Sequence, residues 1–176
     1  MKRISILIFV VLIAGCVTPP QTPEEVRVGV KKGAAMTKTE QTTVNRPFAA
    51  TFRDIKTHAD KCLNVTVTGS TPGRYGPMVE SLRYRSSSKT TNERTGETVV
   101  QMDSRATGKM PEGGYYLMLA DIEGVSANKT MVTIYGHSVG YGSVFEAILA
   151  WAQGKKQACP KFPMGGLGKS FTYHTK

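Results

Sequence analysis

Between Phe48 and Ala152 the spacing of apolar residues passes from a helical period to a period of two and back again. No other feature limits the folds open to this chain as strongly. Phe48, Phe52, Ile55, Ala59, Cys62 and Leu63 recur at helical spacing, with Arg53, Asp54, Lys56, Asp60 and Lys61 on the other side. Asn45 and Pro47 supply a cap and a first-turn proline. Val65 and Val67 then alternate with Asn64, Thr66 and Thr68, up to turn residues Gly69 to Pro77. Two strands of a long hairpin are expected at 78–89 and 97–105, separated by the polar run 90–96, and a second pair at 115–122 and 130–135. Tyr115, Leu117 and Leu119 fall on one face of the third of these, and Tyr116, Met118, Ala120 and Ile122 on the other. This predicts a strand covered on both sides, its tyrosines serving core packing. Ser143 and Glu146 have capping-box spacing ahead of Val144, Phe145, Ile148, Leu149, Trp151 and Ala152, and Lys155 and Lys156 suit a helix end. The expected fold is α+β: an antiparallel sheet of about five strands, with an N-terminal and a C-terminal helix packed on one face. By analogy the order resembles helix-grip and similar two-layer folds.

The N-terminus carries Lys2 and Arg3, then an apolar run from Ile4 to Ile13 broken only by Ser5, then Ala14, Gly15 and Cys16. A basic start, a short apolar segment and small residues before a cysteine resemble a bacterial lipoprotein signal peptide with its lipobox. The apolar run is shorter than the roughly 20 residues that span a bilayer. The resemblance implies cleavage after residue 15 and three acyl chains on Cys16, which holds a protein permanently to a membrane because two or more chains suffice. Val17, where many inner-membrane lipoproteins have Asp, implies an outer-membrane lipoprotein facing the periplasm. The expected organisation is a signal peptide at 1–15, a flexible tether at 16–45, one domain at 46–160 and an irregular tail at 161–176 containing glycines 165, 166 and 168. The tether reading rests on Pro19, Pro20, Pro23, many Thr and Gln, and no sustained apolar period.

The chain holds 23 basic and 13 acidic residues. Removing Lys2 and Arg3 with the signal leaves 21 minus 13, a mature charge of +8. In an envelope this favours anionic lipid, peptidoglycan or an acidic protein as partner, and nucleic acid is not expected there. The basic residues form no run of five or more, as on an ordinary solubilising surface. With Cys16 assigned to lipid, Cys62 and Cys159 remain, and an even remainder in an oxidising compartment implies a disulfide joining the ends of the two helices. No CxxC or HxxxH spacing points to a metal, and His58, His137 and His174 are scattered.

One motif suggests catalysis. Gly136-His137-Ser138-Val139-Gly140 matches GxSxG, the nucleophile elbow of α/β-hydrolases, between an expected strand and an expected helix. That family's order of Ser, acid, His is poorly served here. The only later acid is Glu146, the only later histidine is His174, and antiparallel hairpins conflict with a parallel hydrolase sheet. No phosphate-binding glycine motif is present, and no cofactor is expected. The function expected is non-enzymatic: an anchored envelope protein that binds or scaffolds another envelope component. The alternatives are a serine hydrolase using Ser138 and a structural tether between membrane and peptidoglycan.

Overall fold

The computed structural model describes residues 19–73, 76–104, 113–163 and 170–175. The elements in chain order are α1 (Pro23–Lys31), β1 (Thr37–Val44), α2 (Phe48–Cys62), β2 (Val65–Gly73), β3 (Gly76–Asn92), β4 (Thr95–Ser104), β5 (Tyr115–Ser126), β6 (Lys129–His137), α3 (Gly142–Ala152) and β7 (Ser170–Thr175). The fold is α+β, as expected. The strands form one antiparallel sheet in the order β1-β6-β5-β4-β3-β2-β7, a meander from β2 to β6 with β1 and β7 added at its two edges.

Both helices anticipated from periodicity pack on one face. The stripe Phe48, Ile55, Ala59 and Cys62 of α2 and the residues Val144, Phe145, Ile148 and Trp151 of α3 meet Tyr84, Val100, Met118, Ala120, Val132 and Ile134 of the sheet in one core. The last turn of α3 would leave carbonyls unpaired. Arg46 fills this gap, donating to the Ala152 carbonyl at 3.0 Å and to the Asp54 carboxylate at 2.6 Å. It thereby ties the β1–α2 connection to the end of α3. The Cys62–Cys159 disulfide is present, with Cα atoms 5.0 Å apart. Because α3 stops at Ala152, the bridge links the last residue of α2 to the segment following α3, rather than one helix end to another.

The sheet exceeds the expected size, having seven strands among the described residues rather than about five. The polar run 90–96 is mostly strand: β3 continues to Asn92 and β4 starts at Thr95, leaving Glu93 and Arg94 as the turn. The Arg94 N–H donates to the Asn92 side chain at 2.9 Å, closing that turn locally. The two expected faces of β5 are also rearranged. The pairing with β4 steps from Val100↔Met118 to Gln101↔Tyr116, so Leu117 is the extra residue of a bulge. Tyr115 and Leu117 thus join Met118, Ala120 and Ile122 on the α2/α3 face, while Tyr116 and Leu119 lie on the other.

The 16–45 tether is corrected over most of its length, because α1 and β1 occupy 23–31 and 37–44. The 161–176 tail is corrected as well: Phe162 is buried against Tyr84, ring centroids 4.1 Å apart, and β7 pairs with β2. The capping box fails in its details. Helix α3 begins at Gly142 after Tyr141, with no side-chain cap, and the Ser143 hydroxyl donates to the Lys161 carbonyl at 3.0 Å.

Candidate functional site

Helix α1 lies on the face of the sheet opposite α2 and α3. It starts where Thr22 accepts a bond from the Glu25 N–H at 3.2 Å, with Pro23 in the first turn and Glu24 and Glu25 facing the positive end of the helix. Its apolar contribution is small: Val26 and Val30 against Val99 and Leu119, flanked by Tyr116 and Tyr135. Charge does much of the remaining work. Arg27 forks onto Asp121 at 2.9 and 2.6 Å and reaches Glu97 at 2.7 Å, while Lys89 approaches Glu97 from the other side at 3.0 Å. Burial pushes the Glu97 carboxyl up, but hydrogen bonds from Arg27 and Lys89 outweigh it and hold it below the ordinary range.

Beside this network α1 overhangs a cleft of about 460 Å³, walled chiefly by Pro20, Val26, Val30, Tyr116, Leu117 and His137. Pro20 is held there because its carbonyl accepts from the Tyr116 N–H at 3.0 Å. Burial lowers the pKa of the half-buried His137, so at neutral pH the cleft presents an uncharged imidazole with one donor and one acceptor. The wall is mostly apolar but also includes the acid Glu25 and the hydroxyl of Thr37, so it suits a small apolar moiety better than an anion.

The GHSVG segment runs from the last two residues of β6 into the β6–α3 loop, at the same end of the sheet. Both glycines have packing reasons. A Cβ on Gly136 would lie 2.3 Å from the Cβ of Met118, beside the β5 bulge; Gly140 adopts φ +80°, and a Cβ there would lie 2.7 Å from the Cβ of Pro163. The Ser138 hydroxyl donates to the Met36 carbonyl at 3.0 Å, and its N–H donates to the same oxygen at 2.8 Å. Ser138 therefore pins the α1–β1 loop. His174 is on β7, five places from β6 in the strand order. His58 stacks on Trp151, ring centroids 5.3 Å apart.

Cys16 lies outside the described residues. Among those described, no helix is long and apolar enough to cross a membrane, and no three His, Cys, Asp or Glu side chains converge as metal ligands would. The part of the site that sequence reasoning missed is α1 with its cleft. The signals for it were Thr22, Pro23, Glu24 and Glu25 at a helix start and Lys31 at its end. No protein-family profile matches the sequence, and no curated protein matches it.

Proposed function

We propose that the chain is an outer-membrane lipoprotein, acylated on Cys16, whose periplasmic domain binds another envelope component without catalysing a reaction. The observation that carries this reading is the lipobox-like Ile13-Ala14-Gly15-Cys16 placed only four residues before Pro20, where the fold begins with a backbone bond to the sheet. The Cys62–Cys159 bridge suits an oxidising compartment. The cleft beneath α1 is the contact site on this reading, since its mostly apolar wall fits an apolar group of the partner.

Two variants test it. Cys16→Ser should be left unprocessed or soluble; normal processing with retention on membranes after a high-salt wash would overturn the anchor. Gly29→Trp should place an indole at the cleft that Gly29 lines, since a Cβ at Gly29 meets nothing within 4 Å, and unchanged thermal unfolding checks that the fold is kept. The variant should abolish photo-crosslinks formed from the cleft in intact envelopes. An unchanged crosslinking pattern would remove the cleft from the reading.

A further inference from the structure

From Cys16 to Pro20 the chain advances four residues. At no more than about 3.6 Å per residue, the carbonyl of Pro20 on the sheet stands at most about 14 Å from the acylated residue. A lipoprotein of this design has little freedom to turn away from its membrane. Which end of the domain carries Pro20 is therefore decisive.

That end also carries the α1–β1 loop and the β6–α3 loop, since Thr37 pairs with His137 and Met118 pairs with Gly136. Each loop exposes one large apolar side chain, Met36 at 67% and Val139 at 65%. The two are joined through Ser138, whose N–H and hydroxyl both bond the Met36 carbonyl. Met36 has φ +61°, the left-handed region where a Cβ crowds the following carbonyl. The fold thus holds an unfavourable backbone in place while presenting an apolar side chain outward, a combination that points to function more than packing. Charge follows the same polarity. Lys31 and Lys32 are exposed at the start of this loop, and no acid occurs between Glu25 and Glu40 or between Glu123 and Glu146. At the opposite end of β5, the exposed Val125 has mixed charge around it, Glu93 and Glu123 together with Arg94.

We infer that the Met36–Val139 end of the domain lies on the bilayer that holds Cys16, with both apolar side chains entering the headgroup–acyl boundary and Lys31 and Lys32 meeting anionic headgroups. This rests on the acylation of Cys16. The contact supplements the acyl anchor with shallow apolar insertion and electrostatic attraction. It fixes the orientation of the domain and places the mouth of the cleft close to the membrane surface.

The test uses the full-length acylated protein in vesicles of phosphatidylethanolamine and phosphatidylglycerol. With Cys16 acylated and Cys62 bonded to Cys159, a cysteine introduced by Met36→Cys, Val139→Cys or Val125→Cys is the only free thiol and can carry an environment-sensitive fluorophore. Probes at 36 and 139 should shift to the blue and be quenched by shallow nitroxide lipids at least about twofold more than the probe at 125. Equal, water-like signals at all three positions, with the protein still vesicle-bound, would overturn the orientation and leave the anchor intact. Absence of acyl mass on Cys16 would overturn both.

Discussion

The two faces of the sheet are held by different forces. On the α2/α3 face, Ile55, Val144, Phe145 and Trp151 are fully excluded from solvent, and the contacts are almost wholly apolar. On the α1 face two valines meet one strand residue each from β4 and β5, and the helix is fixed by one guanidinium shared between two carboxylates. Burial of apolar surface is indifferent to modest changes of pH, whereas an ion network exists only while its carboxylates are ionised. The α1 face is therefore the more separable layer, and it is also the face that carries the cleft.

The largest effect should come from the covalent tie on the strong face. Cys62 and Cys159 are 97 residues apart, and releasing such a loop in the unfolded chain lowers stability by about 4 to 5 kcal/mol. Urea unfolding of oxidised and reduced protein measures this; a difference below about 1 kcal/mol would show that the non-covalent core alone defines that layer. Next, Phe145→Ala should lose about 3 to 5 kcal/mol, while Val30→Ala should lose about 1.5 kcal/mol, roughly two methylenes. Equal losses in thermal or urea unfolding would erase the contrast between the faces.

A smaller effect isolates the ion network. Arg27→Met keeps an apolar stem over the sheet but leaves Glu97 and Asp121 without their shared donor, an expected loss of about 1 to 3 kcal/mol at pH 7. Because Glu97 is held below its ordinary range in the folded state, its contribution is complete above the usual glutamate value near 4.3. It is lost as pH falls through that value and on through the depressed folded one. Asp54, pushed up by burial but held down more strongly by Arg46, follows the same sign from the other face and is untouched by the substitution. The gap between wild type and Arg27→Met should thus narrow from pH 7 to pH 3. A gap independent of pH would mean that Arg27 acts through packing alone.

The same contrast explains what could be read in the sequence. Helices α2 and α3 announce themselves because a fully buried helix face needs an apolar residue every third or fourth position, and the strands between them because half-buried strands alternate. Helix α1 buries only Val26 and Val30, one turn apart, too few to make a stripe, so its prolines and polar residues read as a tether. Strand β1 is an edge strand, half of it threonine, in which Val44 alone is buried. The capping-box spacing misled for a different reason: the start of α3 is set by Tyr141, buried against Tyr84 and Phe162, and not by the hydroxyl of Ser143. Of the candidate site, the cysteine pair was legible by counting, while the cleft was not, because it exists only where an unpredicted helix covers a bulged strand.

The smallest expected effect bears on the one catalytic motif. In a nucleophile elbow the serine must be free to attack and must hydrogen-bond to a histidine held by an acid. Here the Ser138 hydroxyl is spent on the Met36 carbonyl, and each glycine of GHSVG is explained by a neighbour, Met118 in one case and Pro163 in the other. Ser138→Ala removes one bond to Met36 and keeps the second, from its own N–H at 2.8 Å, so the loss should be about 0.5 kcal/mol. The loop between α1 and β1 should loosen slightly, visible as faster amide exchange at Met36 and Thr37 with no change in the core. A fluorophosphonate probe should leave the wild-type protein unlabelled. Stoichiometric labelling that Ser138→Ala abolishes would mean that the loop rearranges to release the hydroxyl, and would replace the binding reading with hydrolysis.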